Sequence, residues 1–181
     1  MFIRKLQEIY KKKKILSICL ERNPDTYVVG FILSLSEKYM LFLNLDLIGR
    51  EEAIILIPWE QILRYTVDGL YEKKMQILHL FHSKENNFKK NNWNDEELPD
   101  TFFKYVEQNN KYIGIYNGNE PIYGKILEYE RQWILLQCYN LYGENDGKTV
   151  INVDELEVVE MNSPECRMLE ILETVNNNSI V

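Results

Sequence analysis

The feature that most constrains this chain is a segment that occurs twice, with the second copy 94 positions after the first. At this offset Gly30 aligns with Gly124 and Gly49 with Gly143, so both glycine pairs stay in register without a gap. Apolar residues align as well: Ile32 with Ile126, Leu41 with Leu135, Leu47 with Leu141, Ile57 with Ile151, Met75 with Leu169 and Ile77 with Ile171. Internal repetition of this kind predicts two copies of one structural unit, and 181 residues are enough for two small units.

Each copy is predicted to contain a short helix followed by five strands. Apolar residues at 2, 3, 6, 9 and 10 have helical spacing, and Asp100 is expected to cap a second helix with apolar residues at 102, 103 and 106. The predicted strands of the first copy are 15–20, 27–35, 38–48, 54–62 and 73–80. Those of the second copy are 111–116, 121–129, 131–142, 149–157 and 166–172.

The third strand of the first copy is apolar on both faces, with leucines at 41, 43, 45 and 47 on one face and Met40 and Phe42 on the other. A flat, half-exposed strand alternates more strictly between apolar and polar residues. Strongly bent strands of a small barrel do not need this alternation, and Gly30 and Gly124 stand where such a bend or bulge is expected. The pattern therefore predicts a mainly β fold.

The predicted domain plan has four parts. Residues 1–82 form the first helix-plus-barrel repeat, and residues 99–175 form the second. Between them, residues 83–98 are rich in asparagine and charge, which is typical of a linker. Residues 176–181 are expected to be a mobile tail.

Two pairs of segments, "VVGFIL" with "LFLNLDL" and "IYGKIL" with "LLQCYNL", resemble the Sm-like fold. The resemblance covers most of both halves and implies two tandem five-stranded barrels, each preceded by a short helix. The RNA-pocket pattern of that family is not retained: the spacing from Gly30 to Asn44 is too long, Cys138 replaces Asn44 in the second copy, and the Arg-Gly signature is missing. An RNA-binding Sm-like module is therefore the alternative function.

Composition bounds the partners and the compartment. The formal net charge of −7 disfavours nucleic acid, whose affinity for proteins depends on Lys and Arg, although Lys11 to Lys14 form a local basic run. Three widely spaced cysteines, Cys19, Cys138 and Cys166, indicate thiols in a reducing compartment. No segment has a signal-peptide pattern or the length of about 18 apolar residues that spans a bilayer. We expect a cytoplasmic protein, and export by another route is the alternative.

The sequence offers no catalytic set. His79 and His82 are the only histidines, and in the predicted strand they would point to opposite faces and could not share a metal. A Cys-x-x-Cys pair and a glycine-rich phosphate loop are both missing. We therefore expect neither an enzyme nor a bound metal or other cofactor.

Tyrosines are unevenly distributed between the copies. Tyr116, Tyr123, Tyr139 and Tyr142 in the second copy have no aromatic counterpart in the first. Because tyrosine is enriched at protein interfaces, these four are the predicted partner-binding residues. The sequence thus predicts a non-enzymatic bacterial protein that binds a macromolecule, most directly a protein, with an immunity-type or antagonist role as one variant. The two halves are expected to associate as an intramolecular pseudo-dimer. We do not expect the protein to bind a membrane.

Overall fold

The structure is a computed structural model, and it describes residues 2–82, 93–118 and 120–178. Within these ranges the chain forms four α-helices and ten β-strands. The fold is therefore mixed α and β, and the prediction of a mainly β fold is wrong. The chain divides into two compact units, Met1–Leu98 and Pro99–Val181.

The first unit begins with a helix, continues through five strands and ends with a second helix. Its elements are α1 (Phe2–Lys11), β1 (Leu16–Leu20), β2 (Asn23–Leu35), β3 (Tyr39–Leu45), β4 (Glu51–Pro58), β5 (Ile62–Val67) and α2 (Leu70–His82), with a short 3-10 helix at Trp59–Gln61. A further 3-10 turn, Asp95–Glu97, follows at the end of the unit.

The second unit has the same order of elements. They are α3 (Asp100–Gln108), β6 (Tyr112–Tyr116), β7 (Pro121–Glu130), β8 (Trp133–Tyr139), β9 (Asn145–Asn152), β10 (Val158–Met161) and α4 (Pro164–Asn178). The 3-10 helix before the last strand recurs at Val153–Glu155. Helix α4 therefore includes residues 176–178, which were expected to belong to a mobile tail.

The strands form open antiparallel sheet, and the prediction of two Sm-like barrels is wrong. The strand order is β5-β1-β2-β3-β4 in the first unit and β10-β6-β7-β8-β9 in the second. In neither unit do the described residues pair the two end strands, so neither sheet closes. Apolar side chains that a barrel interior would cover lie partly beneath helices instead: Leu45 of β3 packs with Met75 of α2.

The segments predicted as the fifth strands, 73–80 and 166–172, are helical, and this too is a correction. The observed fifth strands lie earlier, at β5 and β10. Asp68 and Asn162 end those strands in the left-handed conformation, each with φ of 62°, and a helix begins two residues later. Buried Met75 and half-buried Leu78 are three residues apart, which fits one face of a helix. The apolar run is dense enough to fit either period, so the sequence pattern misled.

The register irregularities of the second strands do not lie at the glycines, where a bend or bulge was expected. The register shifts between Ile32 and Ser34 in β2 and between Ile126 and Glu128 in β7, at equivalent positions. Gly30 instead permits a close approach of strands, because a Cβ there would lie 1.8 Å from the carbonyl oxygen of Leu43.

Part of the predicted linker belongs to the first unit. Residues 83–92 lie outside the described residues, whereas residues 93–98 are described and include Asp95. Its Oδ1 accepts hydrogen bonds from Ser34 Oγ at 2.5 Å, from the Leu35 amide at 3.2 Å and from the Tyr10 hydroxyl at 3.4 Å. These bonds tie the end of the predicted linker to β2 and α1.

Candidate interaction surface

In the first unit, the turn after β3 is shaped by one carboxylate. Asp46 Oδ1 accepts hydrogen bonds from the amides of Ile48 and Arg50 at 3.0 and 2.9 Å, and its Oδ2 pairs with Arg50 Nε at 2.8 Å. Burial opposes ionisation of Asp46, but these interactions outweigh it and hold the pKa of this carboxyl below its usual range. These interactions close the turn, in which Gly49 has a φ of 85°.

This turn packs against α2, and both expose apolar side chains. The carbonyl oxygen of Gly49 lies 3.1 Å from His79 Nδ1, and a Cβ on Gly49 would collide with the backbone of α2. Leu47 on the turn is 82% exposed, and Ile77 and Phe81 on α2 are 69% and 80% exposed. We call Leu47, Ile77 and Phe81 the first turn–helix surface.

The second unit repeats the arrangement with different chemistry. Asn140 replaces Asp46 in the turn after β8, and its Oδ1 accepts hydrogen bonds from the amides of Tyr142 and Glu144, both at 3.0 Å. Gly143 has φ of 79°, and a Cβ there would contact Leu172 of α4. The exposed apolar side chains at the corresponding places are Leu141, Tyr142, Ile171 and Val175, which we call the second turn–helix surface.

The structure places three of the four predicted tyrosines around α4 and one on the surface. Tyr123 is buried beneath α4 with Tyr112, and half-buried Tyr139 packs against this cluster. The ring centroids of Tyr112 and Tyr139 are 5.3 Å apart in an edge-to-face arrangement. Tyr142 is 82% exposed on the turn. A partner-binding role for the four residues stays a prediction, and only Tyr142 presents most of its ring to solvent.

Tyr116 is held by neighbours on two sides. Its hydroxyl donates to Glu160 Oε2 at 3.3 Å, and it also shares a hydrogen bond with Tyr123. Burial, and then the nearby Glu160 carboxylate, raise the pKa of Tyr116. Burial is also the main cause of a raised pKa at Tyr123. Both phenols are therefore neutral at physiological pH.

Sequence reasoning missed most of the two turn–helix surfaces. Leu47 with Leu141 and Ile77 with Ile171 were recognised as repeated apolar positions, but all four were assigned to predicted strands. Ile77 and Ile171 face outward from helices α2 and α4, whereas Leu47 and Leu141 are exposed on the turns after β3 and β8. A helical reading would have separated inward Met75 from outward Ile77, and this was the signal that could have found them.

The histidines and cysteines take structural positions. His79 packs on Phe31, with ring centroids 4.8 Å apart, and His82 meets Phe81 edge-on at 5.1 Å. Because α2 is a helix, the two histidines do not point to opposite faces of a strand as predicted. Within the described ranges, no group of three or more His, Cys, Asp or Glu side chains is arranged to hold a metal ion.

All three cysteines are buried thiols. Burial raises the pKa of Cys166 to about 11, despite hydrogen bonds from Ser163 that act in the opposite direction. Burial and the charge of Asp146 also raise the pKa of Cys138. These two thiols are therefore protonated at neutral pH and are poor nucleophiles.

The basic run at the end of α1 is partly neutralised. Lys14 Nζ lies 2.6 Å from Asp68 Oδ2, and Lys13 adopts a left-handed conformation with φ of 49° after the helix ends.

In the part of the chain that the structure describes, no helix is long and apolar enough to cross a membrane.

Comparison with known proteins gives no match: no family model fits the chain, and neither a curated protein nor a solved structure resembles it significantly. The comparisons therefore lend no support to the Sm-like resemblance. The functional argument rests on the geometry of this chain.

Proposed function

We propose that this protein is a non-catalytic module that binds a basic protein partner through its turn–helix surfaces. The observation that carries the proposal is the occurrence of exposed apolar side chains at the same places in both units. Single exposed apolar residues are normal on a protein surface, whereas apolar groups gathered on one helix and its neighbouring turn are typical of interaction sites. Leu47, Ile77 and Phe81 in the first unit, and Leu141, Ile171 and Val175 in the second, meet this description.

The charge of the chain supports a basic partner. The formal net charge is −7, and exposed carboxylates stand beside the apolar groups, such as Glu144 next to Tyr142. Complementary charge speeds encounter with a partner and discriminates against acidic proteins. An immunity-type or antagonist role, in which the acidic surface covers a basic site on the partner, follows the same chemistry.

Two observations favour binding over catalysis. The buried thiols of Cys138 and Cys166 have raised pKa values, and the ring of His79 is engaged by Phe31 and Gly49. None of these side chains is prepared to act as a nucleophile or general base.

The test uses wild-type protein and a combined surface variant, which carries both Phe81→Ser and Tyr142→Ser, as bait in host lysate. The lysate is treated with nuclease. Leu63→Ser is the matched control, because Leu63 is an exposed apolar residue on β5, outside both surfaces. We expect a basic protein to be captured by wild type and by the control, but not by the combined surface variant. The interaction should be reproduced by calorimetry with the purified pair and weaken with salt.

Two outcomes would contradict the proposal. The first is that the surface variant and the control retain the same proteins as wild type. The second is that a basic protein is captured from untreated lysate but not from nuclease-treated lysate, which would favour the nucleic-acid alternative.

A further inference from the structure

The first unit contains a buried carboxylate that no cation of the described chain neutralises. Glu72, in the first turn of α2, is 5% exposed. Its Oε1 accepts a hydrogen bond from the hydroxyl of Ser17, which is also buried. Among the described residues no lysine, arginine or histidine forms an ion pair with it. A charged carboxylate at this depth is costly unless a cation or further hydrogen bonds offset the loss of water.

The second oxygen of Glu72 is left accessible by a glycine. A Cβ on Gly69 would lie 2.4 Å from Glu72 Oε2, so any other residue there would crowd this oxygen. Glu72 is one of five residues that line a cavity of about 330 Å³, together with Ser17, Tyr27, Thr66 and Tyr71. The cavity therefore combines one buried acceptor with hydroxyls and two aromatic rings.

The two rings are suited to a positively charged guest. Tyr27 and Tyr71 are 46% and 41% exposed. Arg64 already lies over the Tyr27 ring at 5.1 Å from its centroid, and Lys74 lies 5.8 Å from the centroid of Tyr71. Both cations are themselves exposed to solvent, which screens their repulsion of an incoming charge. Aromatic faces beside a carboxylate are the usual surroundings of a bound organic cation.

The fold itself does not require a carboxylate at this place. In the second unit the position of Glu72 is occupied by Cys166, and that of Ser17 by Gly114, whose space is taken by the ring of Tyr123. The same element order is thus built with a thiol and a buried aromatic ring at these two places. The buried carboxylate of Glu72 and its Ser17 partner are therefore specific to the first unit.

We propose that this cavity binds an alkylammonium or guanidinium group, with Glu72 Oε2 as the charged acceptor and Tyr27 and Tyr71 as its walls. The group can belong to a small amine or to the side chain of a lysine or arginine in another polypeptide. In either case Ser17 holds the carboxylate in place while the second oxygen receives the ligand. Tyr27 and Tyr71 also line a neighbouring cavity with Leu47, so the site borders the first turn–helix surface, but amine binding does not depend on the function of that surface.

Calorimetry and NMR titration of the full chain test this proposal with three probes. These are n-butylammonium chloride, a capped Gly-Gly-Lys-Gly-Gly peptide, and the same peptide with an acetylated lysine. We expect a charged probe to bind and to shift the ring signals of Tyr27 and Tyr71, whereas the acetylated peptide does not. Binding of n-butylammonium assigns the site to small amines, and binding of the lysine peptide alone assigns it to a polypeptide side chain.

The variant Glu72→Gln should lower the affinity for the charged probe by about tenfold or more, since a charge-assisted hydrogen bond is lost. Glu165→Gln is the matched control, because it removes the same charge from the first turn of α4. Should Glu72→Gln unfold the protein, Tyr71→Ala tests the same site through its wall and should weaken binding severalfold. Glu165→Gln should bind the probe like wild type. The proposal is overturned if no charged probe binds to wild type, if the acetylated peptide binds equally well, or if binding is undiminished in Glu72→Gln or in Tyr71→Ala.

Discussion

Helices α2 and α4 occupy equivalent places in the two units but cover different side chains. Beneath α2, Met75 packs with Ile15, Val29 and Leu45, and Glu72 stands beside them. Beneath α4, the packing partners of Leu169 at the corresponding places are mainly tyrosines: Tyr112, Tyr123 and Tyr139, together with Cys166. The larger rings fill the second unit, whereas the smaller aliphatic side chains of the first leave room for the Glu72 cavity.

A second pair of positions shows the same divergence. Phe31 of β2 packs on His79 of α2, whereas in the second unit Lys125 of β7 forms an ion pair with Glu173 of α4 at 2.6 Å. Lys125 also lies 4.5 Å from the centroid of the Tyr112 ring. The same backbone arrangement thus accommodates an aromatic contact in one unit and a partly buried ion pair at the equivalent positions of the other. What the units share is backbone geometry, and what they do not share is the chemistry beneath the last helix.

The largest expected effect concerns what the units share. Gly30→Ala would place a Cβ 1.8 Å from the backbone oxygen of Leu43, and Gly124→Ala would place one 2.3 Å from that of Gln137. Because backbone atoms cannot rotate away, each variant should lose about 4 kcal/mol of unfolding free energy or fail to fold. Urea denaturation followed by circular dichroism measures this. A loss below about 1 kcal/mol in either variant would show that the strands can separate there.

The next effect concerns the tyrosine layer. Tyr123→Ala removes a buried ring from the cluster beneath α4 and should cost about 3 kcal/mol of unfolding free energy. Tyr142→Ala is the matched control: its ring is exposed, so the change in stability should stay within about 0.5 kcal/mol. Equal stability of the two variants would mean that the ring of Tyr123 is not part of the core.

A smaller effect is expected at the ion pair. Glu173→Gln leaves the ammonium of Lys125 largely buried without its counter-charge, and because Glu173 is 38% exposed the cost should be about 1–2 kcal/mol. Replacing both residues as in the first unit, Lys125→Phe with Glu173→His, should restore most of this loss. Thermal and urea unfolding measure both variants. A double variant less stable than the single one would show that the units are not interchangeable at this site.

The smallest stability effect is expected when the first unit is given the packing of the second. Val29→Tyr alone should be destabilising by about 1–3 kcal/mol, because the new ring meets Ser17. Adding Ser17→Gly and Glu72→Cys copies Gly114, Tyr123 and Cys166, and should recover all but about 1 kcal/mol because no buried carboxylate is left without its hydrogen bond. The triple variant should also lose n-butylammonium binding, as measured by calorimetry. Retained binding would separate the amine site from this cavity.

The sequence predicted elements best where periodicity and turn residues agreed. The first four strands of each unit and the first helix of each were found close to their observed places, and Gly49 and Gly143, which the repeat aligned, both have positive φ in equivalent turns. The last helix of each unit was missed because apolar residues such as Met75, Ile77 and Leu78 satisfy a strand or a helix equally well. The barrels were wrongly expected because apolar residues on both faces of β3 do not reveal whether strands or helices cover them.

The candidate sites were less accessible to sequence reasoning. A surplus of tyrosines in the second copy is visible in the sequence, but whether a ring is buried, as for Tyr123, or exposed, as for Tyr142, depends on the side of the strand or turn that faces α4. Glu72 carries no sequence signal, since a glutamate near a helix start is ordinarily solvated.

By itself, the sequence determined the repeat, its register and the positions of the turns, because glycine conformations and apolar spacing are local properties of the chain. Only the tertiary structure decided that the sheets stay open, that helices cover the apolar strands, and that Ser17, Gly69 and Glu72 meet at one cavity. Those outcomes depend on contacts between segments far apart in the chain, such as the 55 residues that separate Ser17 from Glu72. Packing volume, not local propensity, sets which of these contacts can form.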